Sequence, residues 1–141
     1  MRFTTKTEYG LICLLYMARN KGGHPVTTKD IVKGEKFSLS FTEKILQKLR
    51  AAGIVRSLQG NQGGYELAKD PVEITLKDII EILDGTTFEV FCDRATRNDI
   101  VCTHFTLCEL KPVWHQTKEM LDGFFEAITL DKLARGDFNF K

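Results

Sequence analysis

Three of the four cysteines of this 141-residue chain, Cys92, Cys102 and Cys108, stand close together with the spacing C-x9-C-x5-C. Thiolates are soft ligands that suit iron–sulfur clusters, zinc or Cu(I). Structural zinc sites draw on close C-x2-4-C pairs, and this stretch contains none. Wide spacing in a polar, aperiodic segment better suits a cluster held at the edge of a pocket, with scattered, ligand-free thiols as the alternative. His104, between two of these cysteines, is either a ligand to iron or zinc or an ordinary loop histidine. Cys13 differs, because Ile12, Leu14 and Leu15 surround it in sequence; it is expected to pack as a small buried hydrophobe.

Compartment decides what such thiols do. The N-terminus lacks a basic start followed by a signal-peptide core, and the longest uncharged apolar stretch, Gly10 to Ala18, is far shorter than the ~20 residues of a membrane span. A cytoplasmic protein with no membrane partner is the expectation. Its thiols would stay reduced, which favours ligand or redox chemistry over a disulfide framework.

A second constellation could bind a polyanion. Residues 1–70 carry 12 Lys and Arg against 6 Asp and Glu, net +6, whereas residues 71–141 carry 8 against 13, net −5. The basic half is therefore the candidate nucleic-acid surface. Within it, Ser40, Thr42, Glu43, Lys44, Gln47 and Lys48, flanked by Arg50, are side chains able to reach base edges or phosphates. A solvated helix face is the plainer reading, and Glu43 also has the spacing of a capping acid for Ser40. The loop Gly60-Asn61-Gln62-Gly63-Gly64 places Asn61 and Gln62 at a tip that could touch DNA. It lacks the lysine of a phosphate loop, which argues against nucleotide binding.

These groups need elements to hold them. Thr5 to Asn20 is apolar at nearly every turn and reads as a buried helix, with Thr5 and Glu8 at capping-box spacing. Thr27 and Asp30 repeat that spacing at the head of a short helix stopped by Gly34. A third helix runs from Ser40 to about Ala52, with Phe41, Ile45, Leu49 and Ala52 on its apolar side. Ile54 to Leu58 and Tyr65 to Leu67 then read as two strands around the glycine-rich loop. Three helices and a hairpin in a basic segment predict a winged helix-turn-helix over residues 1–70.

Pro71 closes that unit. Residues 71–141 should hold a linker helix, Leu76 to Leu83, capped by Thr75 and Asp78, then the cysteine loop over 86–108, then a long helix. Leu110, Val113, Trp114, Thr117, Leu121, Phe124, Phe125 and Ile128 make the apolar face of that helix, and Pro112 suits its first turn. The fold class expected is mainly α with a small β-hairpin wing. Ala134 to Lys141 carries too little pattern to assign.

With these residues in view, the chain resembles the Rrf-two family of bacterial winged-helix transcription regulators. The resemblance rests on Met1-Arg2-Phe3-Thr4, Ser38-Leu39-Ser40, Leu49-Arg50-Ala51-Ala52-Gly53-Ile54-Val55, Gly60-Asn61-Gln62-Gly63-Gly64-Tyr65-Glu66-Leu67-Ala68, Ile74-Thr75-Leu76-Lys77-Asp78-Ile79-Ile80 and the order of the three cysteines. It implies a homodimer crossed through the long C-terminal dimerisation helix and recognition helices, beginning at Ser38, that read a palindrome in double-stranded DNA. It also implies one iron–sulfur cluster per subunit on Cys92, Cys102 and Cys108, of the 2Fe–2S type with 4Fe–4S as the alternative.

The chain departs from the iron–sulfur biogenesis type in two places, one of them the gap of nine between Cys92 and Cys102, which is wider than in that type and leaves cluster nuclearity open. Members of the iron–sulfur biogenesis type carry a histidine three residues after the third cysteine, where this chain has Lys111, a poor iron ligand when protonated. Members of the nitric oxide sensing type have a carboxylate near the start of the first helix, matching Glu8. Glu8 is thus the candidate fourth ligand, supplied from its own or the other subunit, against its capping-box reading. The expected function is a cluster-sensing regulator without a small-molecule substrate. A cluster-free regulator that docks a partner protein or senses thiol oxidation is the alternative. A redox enzyme fits less well, since the chain shows no nucleotide fingerprint, acid/base motif or second cluster set.

Overall fold

The computed structural model describes residues 3–20, 23–35, 37–61, 63–90 and 107–139. Helices α1 (Thr5–Arg19), α2 (Thr28–Glu35) and α3 (Leu39–Ala51) precede the strands β1 (Val55–Leu58) and β2 (Gly64–Leu67). Helix α4 (Leu76–Asp84), the long α5 (Leu110–Glu126) and a short α6 (Leu130–Arg135) follow. The strands pair antiparallel with Val55 opposite Leu67 and Leu58 opposite Gly64, and a bridge from Val26 to Tyr65 ties the hairpin to the start of α2. Three helices and a wing are therefore present in the predicted order. Among the described residues no helix is long and apolar enough to cross a membrane.

Helix α1 is the central element. Its Cys13, Leu14 and Met17 join Ile31 of α2, Ile45, Leu46 and Leu49 of α3, and Ile54 and Val55 at the wing in one core. Ile74, Ile79, Leu83 and Leu130 belong to the same cluster, so residues from beyond Pro71 complete the hydrophobic interior of the N-terminal half. Gly10 permits this, because a β-carbon there would lie 2.3 Å from Leu83 Cδ1. α1 and α4 could not otherwise approach so closely.

The predicted caps hold at two helices and fail at two. Thr27 and Asp30 exchange their reciprocal bonds, 3.1 Å from the Asp30 amide to Thr27 Oγ1 and 3.0 Å from the Thr27 amide to Asp30 Oδ2. Thr75 and Asp78 do the same at α4. At α1 the capping box of Thr5 and Glu8 does not form: the N-cap is Thr4, and both its amide and hydroxyl donate to Asp84, 80 residues away. The helix starts with Thr5 already inside its first turn, and the amide of the true cap residue is satisfied by a carboxylate from another helix. At α3 the cap is Ser38, which accepts from the Phe41 amide at 3.4 Å, so Glu43 is no capping acid. α2 also continues one residue past Gly34. α6, which the sequence left unassigned, is capped by Thr129 and packs on α1 through Leu130.

Candidate nucleic-acid interface and cysteine site

The start of α3 is held by rings. Tyr9 of α1 stacks on Phe37 at 3.7 Å between centroids and meets Phe41 edge-on at 5.4 Å. With Thr42, Ile45, Leu46 and Leu49 buried beneath, the opposite side of the helix must face outward. Ser40, Glu43, Lys44, Gln47 and Arg50 are all exposed there, on successive turns. Ser38, exposed at the head, is committed through its hydroxyl to the cap.

Two of the predicted DNA contacts are placed apart from the rest. Thr42 is fully buried and its hydroxyl donates to the Ser38 carbonyl at 2.9 Å, so it belongs to the core side of α3. Three, four and seven residues ahead of Ile45, Leu46 and Leu49, it lies on the buried stripe of the helix. Lys48 is exposed along its stem, yet its ammonium donates to the Leu83 carbonyl of α4 at 3.1 Å. It faces α4 and not the front of α3. In the wing, Arg56 and Glu66 form a cross-strand ion pair, and Asn61 is exposed at the tip. Gln62 lies outside the described residues, as do Cys92, Cys102 and His104.

Of the predicted ligands, Cys108 and Glu8 can be placed. Cys108 is half-buried, and its carbonyl accepts from the Lys111 amide in the first turn of α5. Glu8 is exposed on α1. The two are not brought together within one chain. The start of α1 sits by the far end of α5, where Phe3 meets Phe125 edge-on at 5.8 Å, and a helix of this length spans about 25 Å. Among the described residues no group of three or more His, Cys, Asp or Glu could hold a metal. Cys13 is fully buried in the core, where burial pushes its thiol up to about 12 and it packs as a small hydrophobe.

Helix α5 divides its apolar residues between two sides. Phe125 is buried and Trp114 packs on Phe88 at 6.2 Å, while Ile128, expected on the same helix, lies past its C-cap Ala127 and is buried there. Leu110, Val113, Met120 and Phe124 remain 48–66% exposed. With Thr117 they step by three and four residues, the spacing of a coiled-coil seam.

The sequence reading missed a polar latch on the other flank. Thr87, 2% exposed, donates its hydroxyl to Asp122, and Lys118 Nζ reaches Asp122 Oδ2 at 2.9 Å and Thr87 Oγ1 at 3.2 Å. Burial alone would raise the Asp122 pKa, but these donors and the charges of Lys118 and Lys77 outweigh it and hold the carboxyl below its ordinary value. Only the Lys118–Asp122 spacing was readable in the sequence.

Comparison with known proteins places these features in a family. The model described as Rrf2, iron-dependent transcriptional regulator, matches residues 3–136. The chain is 32% identical over 134 residues to the HTH-type transcriptional regulator IscR of Escherichia coli O1:K1 / APEC, covering 95% of this chain and 80% of that one. Among solved structures, the global cysteine regulator CymR of B. subtilis superposes with a TM-score of 0.79 at 28% identity, covering 98% of this chain and 99% of that one. T. potens IscR superposes with a TM-score of 0.72 at 28% identity, covering 100% and 94%. With its buried-backed α3, its wing and these relatives, the chain belongs to the Rrf2 family of DNA-binding winged-helix transcriptional regulators and is not an enzyme.

Proposed function

We propose that this regulator acts as a homodimer on a palindromic operator and senses its signal through an iron–sulfur cluster, one per subunit, held by Cys92, Cys102 and Cys108. The observation that carries the dimer is the seam Leu110, Val113, Met120 and Phe124 on α5, exposed on either side of the half-buried Thr117. Two such seams crossing antiparallel would bury each other and set the two α3 helices at a fixed separation. The same crossing would lay the Cys108 end of one α5 beside the far end of the other, where the partner's α1 begins. Glu8 is then a ligand candidate across the subunit boundary, a role the failed capping box leaves it free to take.

The donor chemistry fits a cluster. Cys108 precedes the N-terminus of α5, where free backbone N–H groups and the helix dipole favour an anionic assembly. When bound, a cluster supplies redox and ligand-exchange chemistry that the side chains lack. Lys111, in the first turn of α5, is a cation that would offset the charge of such a site. The residues Ser40, Glu43, Lys44, Gln47, Arg50 and Asn61, with Ser38 at the helix head and Gln62 at the wing tip, would carry DNA contact. Cytoplasmic location follows from that role.

A second reading has its own support, since the chain superposes with a TM-score of 0.79 on CymR, the global cysteine regulator of B. subtilis. A cluster-free regulator would use the same dimer and α3 but respond to a protein partner or to thiol oxidation. Anaerobic isolation with iron and sulfide assays and a visible spectrum separates the two readings. Iron and sulfide in equal amount with a brown chromophore are expected; colourless, iron-free protein that still binds a palindromic duplex would favour the cluster-free reading.

A further inference from the structure

We propose that Lys48 is a positioning residue for α3, not a phosphate contact, and that the C-terminal end of α4 is the joint linking the DNA-binding helix to the segment that enters the cysteine loop. The last carbonyls of any helix lack partners within it. Here the Leu83 carbonyl receives the Lys48 ammonium at 3.1 Å, 35 residues distant in sequence. A cation at a helix C-terminus also meets the negative end of the helix dipole. Lys48 lies about 80° around α3 from Ser40, on the flank of the polar face. A side chain anchored to α4 there is not extended toward the groove that Ser40, Gln47 and Lys44 face.

The next residue fastens α1 to the same point. Asp84 accepts from the Thr4 amide at 3.2 Å, from the Thr4 hydroxyl, and from the Thr7 hydroxyl at 2.7 Å. The Leu83 side chain meanwhile fills the notch at Gly10. One helix end thus holds both α3 and α1. The chain then turns at Gly85, whose φ of +93° disfavours any side chain. Thr87 is latched to Asp122 and Lys118 of α5, and Phe88 meets Trp114. Asp84 and Thr87 are three residues apart, at most about 10 Å when fully extended.

Two anchors on so short a tether cannot move independently. A shift of the segment leaving Thr87 against α5 is passed to Leu83 and Asp84, and through Lys48 to the tilt of α3. Packed contacts of this kind switch between discrete arrangements instead of deforming smoothly. In a dimer, the tilt of α3 sets which half-site separation both subunits can reach together. The spacing readout below therefore rests on the homodimer reading.

The test uses the full chain and a palindromic duplex selected from a randomised pool by the wild-type protein. Affinity is measured for K48M, K48R and K44A against salt, on that duplex, on versions with one base pair added or removed at the centre, and on a single half-site. K48M keeps the stem and loses the donor. It should bind the selected palindrome about tenfold more weakly, with an unchanged salt slope and a diminished preference for the selected spacing. K48R, which can still donate to the Leu83 carbonyl, should restore both. K44A should lower the salt slope by about one unit and keep the spacing preference.

A K48M salt slope lowered by about one unit, with spacing preference intact, would overturn the proposal. Full affinity and spacing preference in K48M would do the same. If sedimentation shows the wild type to be monomeric, the dimer reading fails by itself, and the half-site titration decides for Lys48: weaker K48M binding at unchanged slope supports positioning, and a lowered slope or full affinity refutes it.

Discussion

Asp84 is the acceptor on which the start of α1 depends, and removing it should be felt well beyond its own helix. In D84A the Thr4 amide loses its cap, which costs about 1 kcal/mol by analogy with N-cap deletions. The Thr7 hydroxyl, 2% exposed and bonded to Asp84 at 2.7 Å, loses its acceptor. A buried donor left unpaired costs about 1–3 kcal/mol, but Thr7 can rotate toward its own helix carbonyl and recover part of it. The expected total is about 2 kcal/mol, a fall in melting temperature of roughly 6–8 °C for a chain of this size. D84N retains one accepting oxygen and should lose about half as much. The carboxyl adds a pH signature. Burial would raise its pKa, yet the Thr4 and Thr7 bonds and the charge of Lys6 outweigh burial and hold it below the ordinary value. Its stabilisation is therefore complete above the unfolded pKa of about 3.9 and disappears as pH falls through the lower folded value. Urea unfolding of wild type, D84A and D84N at pH 7 and at steps below pH 4 measures both effects. Asp30 and Asp122, also held low, titrate in the same window, so each variant is compared with wild type at the same pH. A D84A loss under about 0.5 kcal/mol at pH 7, or a gap that fails to close in acid, refutes the reasoning.

Substituting Gln47 or Glu43 should change base preference at one position by roughly 1–3 kcal/mol, whereas R50A should weaken binding to all sequences and lower the salt slope by about one unit; a binding-site selection with each variant reads both. Changing Cys92, Cys102 or Cys108 to Ala should abolish visible absorbance in the anaerobically isolated protein, and C13A should leave it, with unchanged iron in all three loop variants refuting the cluster. Glu8→Gln keeps size while removing the anionic oxygen, so cluster lability in air should change with the melting temperature unmoved; an unaltered spectrum and decay rate would eliminate Glu8 as a ligand. M120E places a charge on the exposed α5 seam and should shift sedimentation from dimer toward monomer while the chain stays folded by circular dichroism.

Period and punctuation in the sequence suffice for the elements: the helical spacing of Ile45 and Leu49, the glycines around Asn61 and the Thr75–Asp78 cap each specify local structure by contacts a few residues apart. They suffice for the regulator class as well, because three helices, a wing and a basic half occur together and match a known family. Local spacing also named Glu8 as the capping acid of α1 and Glu43 as that of α3, and both failed. Each helix begins earlier than that spacing supposes, at Thr4 and at Ser38, so Thr5 and Ser40 lie inside the first turn and are not cap residues. Where a helix starts is settled by what the rest of the chain offers its first amides, as Asp84 does for Thr4. Which side of a residue faces the core is likewise a tertiary fact. Thr42 has a polar side chain that suits DNA, yet the packing of α3 on α1 turns it inward. Lys48 carries the charge expected of a phosphate contact, but only the approach of α4 shows that a carbonyl is waiting for it. The division of α5 into a buried side and an exposed seam follows from the same cause: apolar periodicity marks a face to be covered, and the arrangement of the other helices decides which part is covered within one chain.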